Sequence, residues 1–124
     1  MSERTILYIE DNEYNRKIVR QLLTRTPYRL IEAGDGETGV ELARKELPAL
    51  VLMDVQLPKM SGLEATRLLK ADARTAGIPV IVITSFALSG DREKAAAAGA
   101  DSYLAKPYSP RELLALVRQY LPES

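Results

Sequence analysis

The chain has 124 residues, 17 basic against 17 acidic, a formal net charge of zero, and neither cysteine nor histidine. That length suits one domain around one core, so residues 1–124 are read as a single unit. Charge balance argues against general nucleic-acid binding, the missing cysteine excludes disulfide and thiol chemistry, and the missing histidine removes the commonest general base and zinc ligand.

Residues 5–9 are short and apolar and predict a strand. Asn12 can cap a helix over 13–25, where Tyr14, Ile18 and Leu22 recur at helical spacing, until Thr26-Pro27 stops it. Arg16, Lys17, Arg20 and Arg25 make that helix locally basic, which reads as a solvated face. A second strand over 28–33 turns at Gly34-Asp35-Gly36 into a helix over 37–46 with the stripe Val40, Ala43, Leu47, ended by Pro48. Residues 49–53 are apolar at nearly every position, as in a parallel central strand covered on both faces. Ser61 with Glu64 fits a capping box, Leu68 and Leu69 continue that helix, and Gly77 and Pro79 close it. The fourth strand covers 80–83, and Gly90 opens an alanine-rich helix ended by Gly99. A fifth strand spans 102–105. Ser109-Pro110-Arg111-Glu112 starts a last helix to about Tyr120, with Leu113, Leu114, Val117 and Leu121 toward the core.

Five strands alternating with five helices predict an α/β fold, doubly wound around a parallel sheet. The predicted strand order is 2-1-3-4-5, flavodoxin-like. No apolar run approaches the roughly 18 residues of a membrane helix, and the N-terminus carries no signal-peptide pattern, so a cytoplasmic protein is expected.

In such a sheet ligands bind beyond the carboxyl ends of the strands. Glu10 and Asp11 follow the first strand, Asp54 the third, Thr84 the fourth and Lys106 the fifth. With the first and third strands adjacent, three carboxylates converge and repel, and a divalent cation relieves this. Oxygen-only ligands favour magnesium over zinc.

The stretches Ile9-Glu10-Asp11-Asn12, Met53-Asp54-Val55-Gln56-Leu57-Pro58, Met60-Ser61-Gly62, Pro79 to Thr84 and Asp101 to Pro107 together resemble the receiver domain of two-component response regulators, over residues 5–121. The resemblance implies Asp54 as phosphoacceptor, with phosphohistidine on a sensor histidine kinase or a histidine phosphotransfer protein as donor. It implies Mg2+, with Mn2+ as a possible substitute, on Glu10, Asp11, Asp54 and the backbone carbonyl of Gln56, with Asp11 the more direct ligand. Thr84 would bind a phosphoryl oxygen, and Lys106 would pair with that group and Asp54. The Lys106-Pro107 bond would be cis.

An aspartate is ionised near neutral pH, so Asp54 needs no general base. Phosphorylation would draw Thr84 inward and let Tyr103 rotate into the vacated space. A surface over residues 86–120 would then bind a downstream protein. Gln56 and Phe86, two positions past Asp54 and Thr84, would lie where water approaches the acyl phosphate. Ser85 stands where the family more often has alanine. No external-substrate enzyme is expected: in a magnesium-dependent aspartate phosphatase the general acid would occupy position 56, and Gln56 cannot serve. A degenerate docking receiver would have lost Asp54 or Lys106. A nucleotide fold is unsupported without a glycine-rich loop after the first strand. A stand-alone regulator of the cell-division or phosphorelay kind is expected from the start at Met1 and the finished last helix. A receiver fragment of a hybrid histidine kinase or DNA-binding regulator is the alternative, and the oligomeric expectation is a monomer or a weak, phosphorylation-dependent dimer.

Overall fold

The computed structural model describes residues 4–85 and 90–122. Among these, five strands alternate with five helices: β1 (Thr5–Ile9), α1 (Glu13–Leu23), β2 (Arg29–Ala33), α2 (Gly36–Glu46), β3 (Leu50–Asp54), α3 (Gly62–Ala71), β4 (Val80–Thr84), α4 (Asp91–Ala98), β5 (Ser102–Ala105) and α5 (Pro110–Tyr120). All strand pairs are parallel, in the order β2-β1-β3-β4-β5, as expected. No helix among the described residues is long and apolar enough to cross a membrane.

Strand side chains alternate between faces, so the sheet builds two cores. Ile6, Tyr8, Leu50, Leu52, Ile81, Ile83 and Leu104 pack with α1 and α5 through Val19, Leu23, Leu113 and Val117. Leu7, Ile9, Val51, Met53, Val80 and Val82 pack with α2, α3 and α4 through Val40, Ala43, Ala65, Leu69 and Ala95. Each fully buried Val, Leu or Ile stabilises this arrangement by roughly 2 kcal/mol. The central strands β3 and β4 are buried at every residue, which is why they read as unbroken apolar runs.

Helix starts follow their caps. Asn12, Asp35, Ser61 and Ser109 each accept a bond from the backbone N–H three residues on. The full capping box is at Ser109–Glu112.

Several boundaries differ from expectation. Helix α1 ends at Leu23 rather than 25, where the Thr24 and Thr26 hydroxyls donate to the Arg20 and Leu23 carbonyls. Its buried residues are Val19 and Leu23, with Leu22 partly buried against the same core, whereas Tyr14 is 70% and Ile18 43% exposed. Leu47 does not join the α2 stripe; it caps the helix at φ 47° with its side chain exposed, and the small Gly36 and Gly39 face inward instead. Helix α3 stops at Ala71, well before Gly77, because Asp72 leaves helical φ/ψ and turns the chain through bonds from Thr75 and Ala76. Leu68 lies at the surface while Leu69 is buried.

Candidate functional site

Register and alternation together assemble the site. Ile9 pairs with Met53, so Glu10 stands level with Asp54; Thr84 pairs with Ala105, so Lys106 follows directly beyond. Glu10 continues the Ile6, Tyr8 face, Asp54 the Leu50, Leu52 face, and Lys106 extends from Leu104, all toward the α1–α5 side. Thr84 follows Val82 on the opposite side, where Tyr103 also packs. The sheet edge therefore has a charged half over α1 and α5 and a half over α4 that carries Thr84 and Tyr103.

Glu10, Asp54 and Thr84 are 1%, 3% and 1% exposed. Lys106 Nζ donates to Asp54 Oδ2 at 2.9 Å and to Glu10 Oε1 at 3.3 Å, so one ammonium compensates two buried carboxylates. Asp54 Oδ1 accepts the Gln56 backbone N–H at 2.8 Å. Burial pulls the Lys106 ammonium toward deprotonation, but Asp54 and Glu10 outweigh it and leave its pKa raised. Asp11, exposed at the rim, has its carboxyl raised by desolvation and then by Glu10 beside it. The Lys106-Pro107 bond is cis.

Three carboxylates against one lysine leave the cluster net negative, with oxygen donors only. Among the described residues no three acidic side chains close into a ready metal cage. A hard ion that keeps several of its waters needs only one or two carboxylates, and this donor set fits such an ion.

The partners of Glu10 were not anticipated from sequence. Oε1 accepts from Tyr8 Oη at 3.3 Å and Asn15 Nδ2 at 3.1 Å, and Oε2 from the Asn12 N–H at 3.2 Å. Tyr8 is two residues before Glu10 on the same strand face, and that spacing is a readable signal. Arg16, taken as a solvated base, donates to the Glu10 carbonyl and pairs with Glu13 and Glu32. Ser85 Oγ donates to Gln56 Oε1 at 2.9 Å across the mouth of the site. The Arg92 guanidinium stands 5.3 Å from the Tyr103 ring centre. Phe86 lies outside the described residues.

The comparisons with known proteins agree with this geometry. A family model, the response regulator receiver domain, matches residues 6–118. The chain belongs to the response regulator receiver family. It is 39% identical to the polar-differentiation response regulator DivK of Brucella anthropi, over 98% of either chain, and to that of Brucella ovis over the same shares. Among solved structures it is similar to the receiver domain of a sensor histidine kinase from Pseudomonas aeruginosa: TM-score 0.89, 34% identity, covering 98% of this chain and 100% of that one. That structure is described with a magnesium ion coordinated in its active site cleft. A LuxR-family two-component response regulator from Aurantimonas gives a TM-score of 0.88 at 30% identity, over 97% of this chain and 86% of the other. The chain is thus a receiver domain of the two-component kind.

Proposed function

We propose that Asp54 accepts a phosphoryl group from a phosphohistidine of a sensor histidine kinase or histidine phosphotransfer protein. The observation that carries this is the Lys106 ammonium held 2.9 Å from Asp54 Oδ2 at the end of a fully buried strand. A carboxylate oxygen of Asp54 attacks phosphorus, the phosphorus–nitrogen bond to the donor imidazole breaks, and its electron pair stays on that nitrogen. The product is an acyl phosphate on Asp54.

Glu10, Asp11, Asp54 and the Gln56 carbonyl would hold Mg2+, which supplies charge neutralisation for the carboxylate and phosphoryl oxygens. Lys106 stays within reach of both Asp54 and an incoming phosphoryl oxygen. Thr84 donates its hydroxyl to a second phosphoryl oxygen. Its movement and that of Tyr103 reshape the surface around α4, β5 and α5, which binds the downstream protein. The donor seats beside Lys106, over an apolar cavity of about 740 Å³ lined by Ile18, Leu22, Pro107 and Tyr108. Exposed Ile18 and partly buried Leu22 present the apolar side of α1 to that cavity and suit the apolar face of a helical partner.

Incubation with Mg2+ and phosphohistidine donors tests the reading. An alkali-labile phosphoryl adduct is expected on the unaltered chain and none on Asp54→Asn. Equal labelling of both would overturn it.

A further inference from the structure

Tyr8 places a phenol where its neighbours on the same core, Ile6, Leu50 and Leu52, are wholly apolar. It is 1% exposed, and a buried hydroxyl costs stability unless it is bonded. Its hydroxyl reaches Glu10 Oε1 at 3.3 Å, an oxygen that also takes Asn15 Nδ2 at 3.1 Å and Lys106 Nζ at 3.3 Å. An oxygen with two lone pairs cannot hold three donors at short range, and none of the three is short. Oε2 accepts the Asn12 N–H, and the Asp11 carboxyl stands beside the same carboxylate at the rim. The carboxylate is therefore turned with Oε1 into the protein and Oε2 carrying its spare capacity. Tyr108 packs against the same core and interacts with the Tyr8 hydroxyl.

We propose that Tyr8 is a positioning residue for the metal-binding acid: its hydroxyl pins Oε1 of Glu10 and so fixes the oxygen offered to the cation. It also keeps Oε1 bonded when Lys106 turns to a phosphoryl group. An aliphatic residue at position 8 would fill the core equally well, but a phosphoryl group drawing Lys106 away would then leave Oε1 with one side-chain donor. The proposal rests on the reading of Glu10 as a metal-site acid. It goes beyond that reading by assigning the acid's orientation to a residue that touches no metal.

The test is calorimetric titration of Mg2+ into the unaltered chain, Tyr8→Phe, Glu10→Gln and the double variant. Loss of a donor behind a metal ligand weakens affinity about tenfold, and that is expected for Tyr8→Phe. In the Glu10→Gln background the same substitution should change affinity by less than about twofold, because its target is gone. Unchanged affinity in Tyr8→Phe, or an equal loss in both backgrounds, would overturn the proposal while leaving the metal site intact. Absence of Mg2+ binding to the unaltered chain would overturn the metal site and the proposal with it. If Tyr8→Phe does not fold, the carbon-13 resonance of Tyr8 Cζ in the unaltered chain decides. It should shift when Mg2+ and beryllofluoride are added, as the bond to Glu10 tightens, and a stationary resonance overturns the proposal.

Discussion

The Lys106 ammonium is shared between Asp54 and Glu10, at 2.9 and 3.3 Å, while its own side chain is only 22% exposed. Lys106→Met therefore strands two buried carboxylates. A full buried pair broken in this way costs about 3–5 kcal/mol, and partial solvation reduces that here to about 2 kcal/mol at neutral pH. Phosphoryl transfer should slow by roughly a hundredfold, the usual effect of deleting one pre-placed electrostatic donor. The pH sign follows from the raised folded-state pKa. The lysine's contribution is complete below the unfolded-state value of about 10.4 and is lost as pH rises through the folded value. Denaturant melts of both proteins should differ by a constant amount from neutral pH to about 10 and converge only as pH rises beyond the unfolded-state value; a gap that widens with alkalinity would refute this account.

Gly62 sits against the backbone that presents Asp54, the proposed phosphoacceptor. A Cβ there would overlap the Asp54 carbonyl oxygen and stand 2.8 Å from its carbon and 2.9 Å from Val55 Cα. These are backbone atoms with no rotamer to yield, and the Gly62 N–H is bonded to the Val55 carbonyl at 2.9 Å. Gly62→Ala should lose about 3 kcal/mol, the upper part of the overpacking range. It should also lower the phosphorylation rate of the fraction that remains folded, because Asp54 is displaced. Normal phosphotransfer with normal stability would show that the loop can relax.

The fold was legible because each level of the sequence agreed with the next. The runs Ile6 to Ile9, Leu50 to Met53 and Val80 to Ile83 are apolar on both faces, and Ser109-Pro110-Arg111-Glu112 fixes a helix start without ambiguity. The site was legible as a set of strand ends. Less legible were surface positions within helices: Tyr14 and Ile18 keep helical spacing with Leu22, yet only Leu22 of the three packs on the core, beside the buried Val19 and Leu23. Spacing defines a stripe but not which stripe faces the sheet. The length of α3 was overestimated because Gly77 was taken as the stop, whereas the Asp72 carboxylate ends it by binding the Arg74 N–H and the Arg44 and Arg74 side chains. Contacts set by tertiary structure, such as Asn15 and Tyr8 on Glu10, have no local pattern beyond the two-residue spacing of Tyr8.

Ser85 tethers Gln56 at 2.9 Å, and both side chains are exposed at the mouth above Asp54. On the proposed mechanism, the tether holds the Gln56 amide across the approach that water needs to attack an acyl phosphate on Asp54. A net contribution near 0.6 kcal/mol for such a bond corresponds to about a threefold rate change. Ser85→Ala should therefore shorten the phosphoryl lifetime about threefold without altering the rate of phosphorylation, as read by decay of labelled protein after removal of the donor. Ser85→Thr, which keeps the hydroxyl, should decay like the unaltered chain. Identical decay of all three would show that Gln56 does not gate the water.

Arg92 from α4 lies over the Tyr103 ring at 5.3 Å, on the same side of the sheet as Thr84. A guanidinium–aromatic contact at a partly exposed site is worth about 1 kcal/mol. On the proposed switch, that energy favours the present ring position and opposes rotation toward the space beside Thr84. Arg92→Ala removes the bias, and 1 kcal/mol shifts a two-state population about fivefold. The variant should take up beryllofluoride with about fivefold higher affinity in the presence of Mg2+, and its Tyr103 ring resonances should move toward the bound position before any mimic is added. Arg92→Lys should lie between the two, since an ammonium binds the ring face less well than a planar guanidinium. Unchanged affinity together with unmoved Tyr103 resonances in Arg92→Ala would mean that Tyr103 is a fixed packing residue. The reshaped surface would then have to be driven by Thr84 alone.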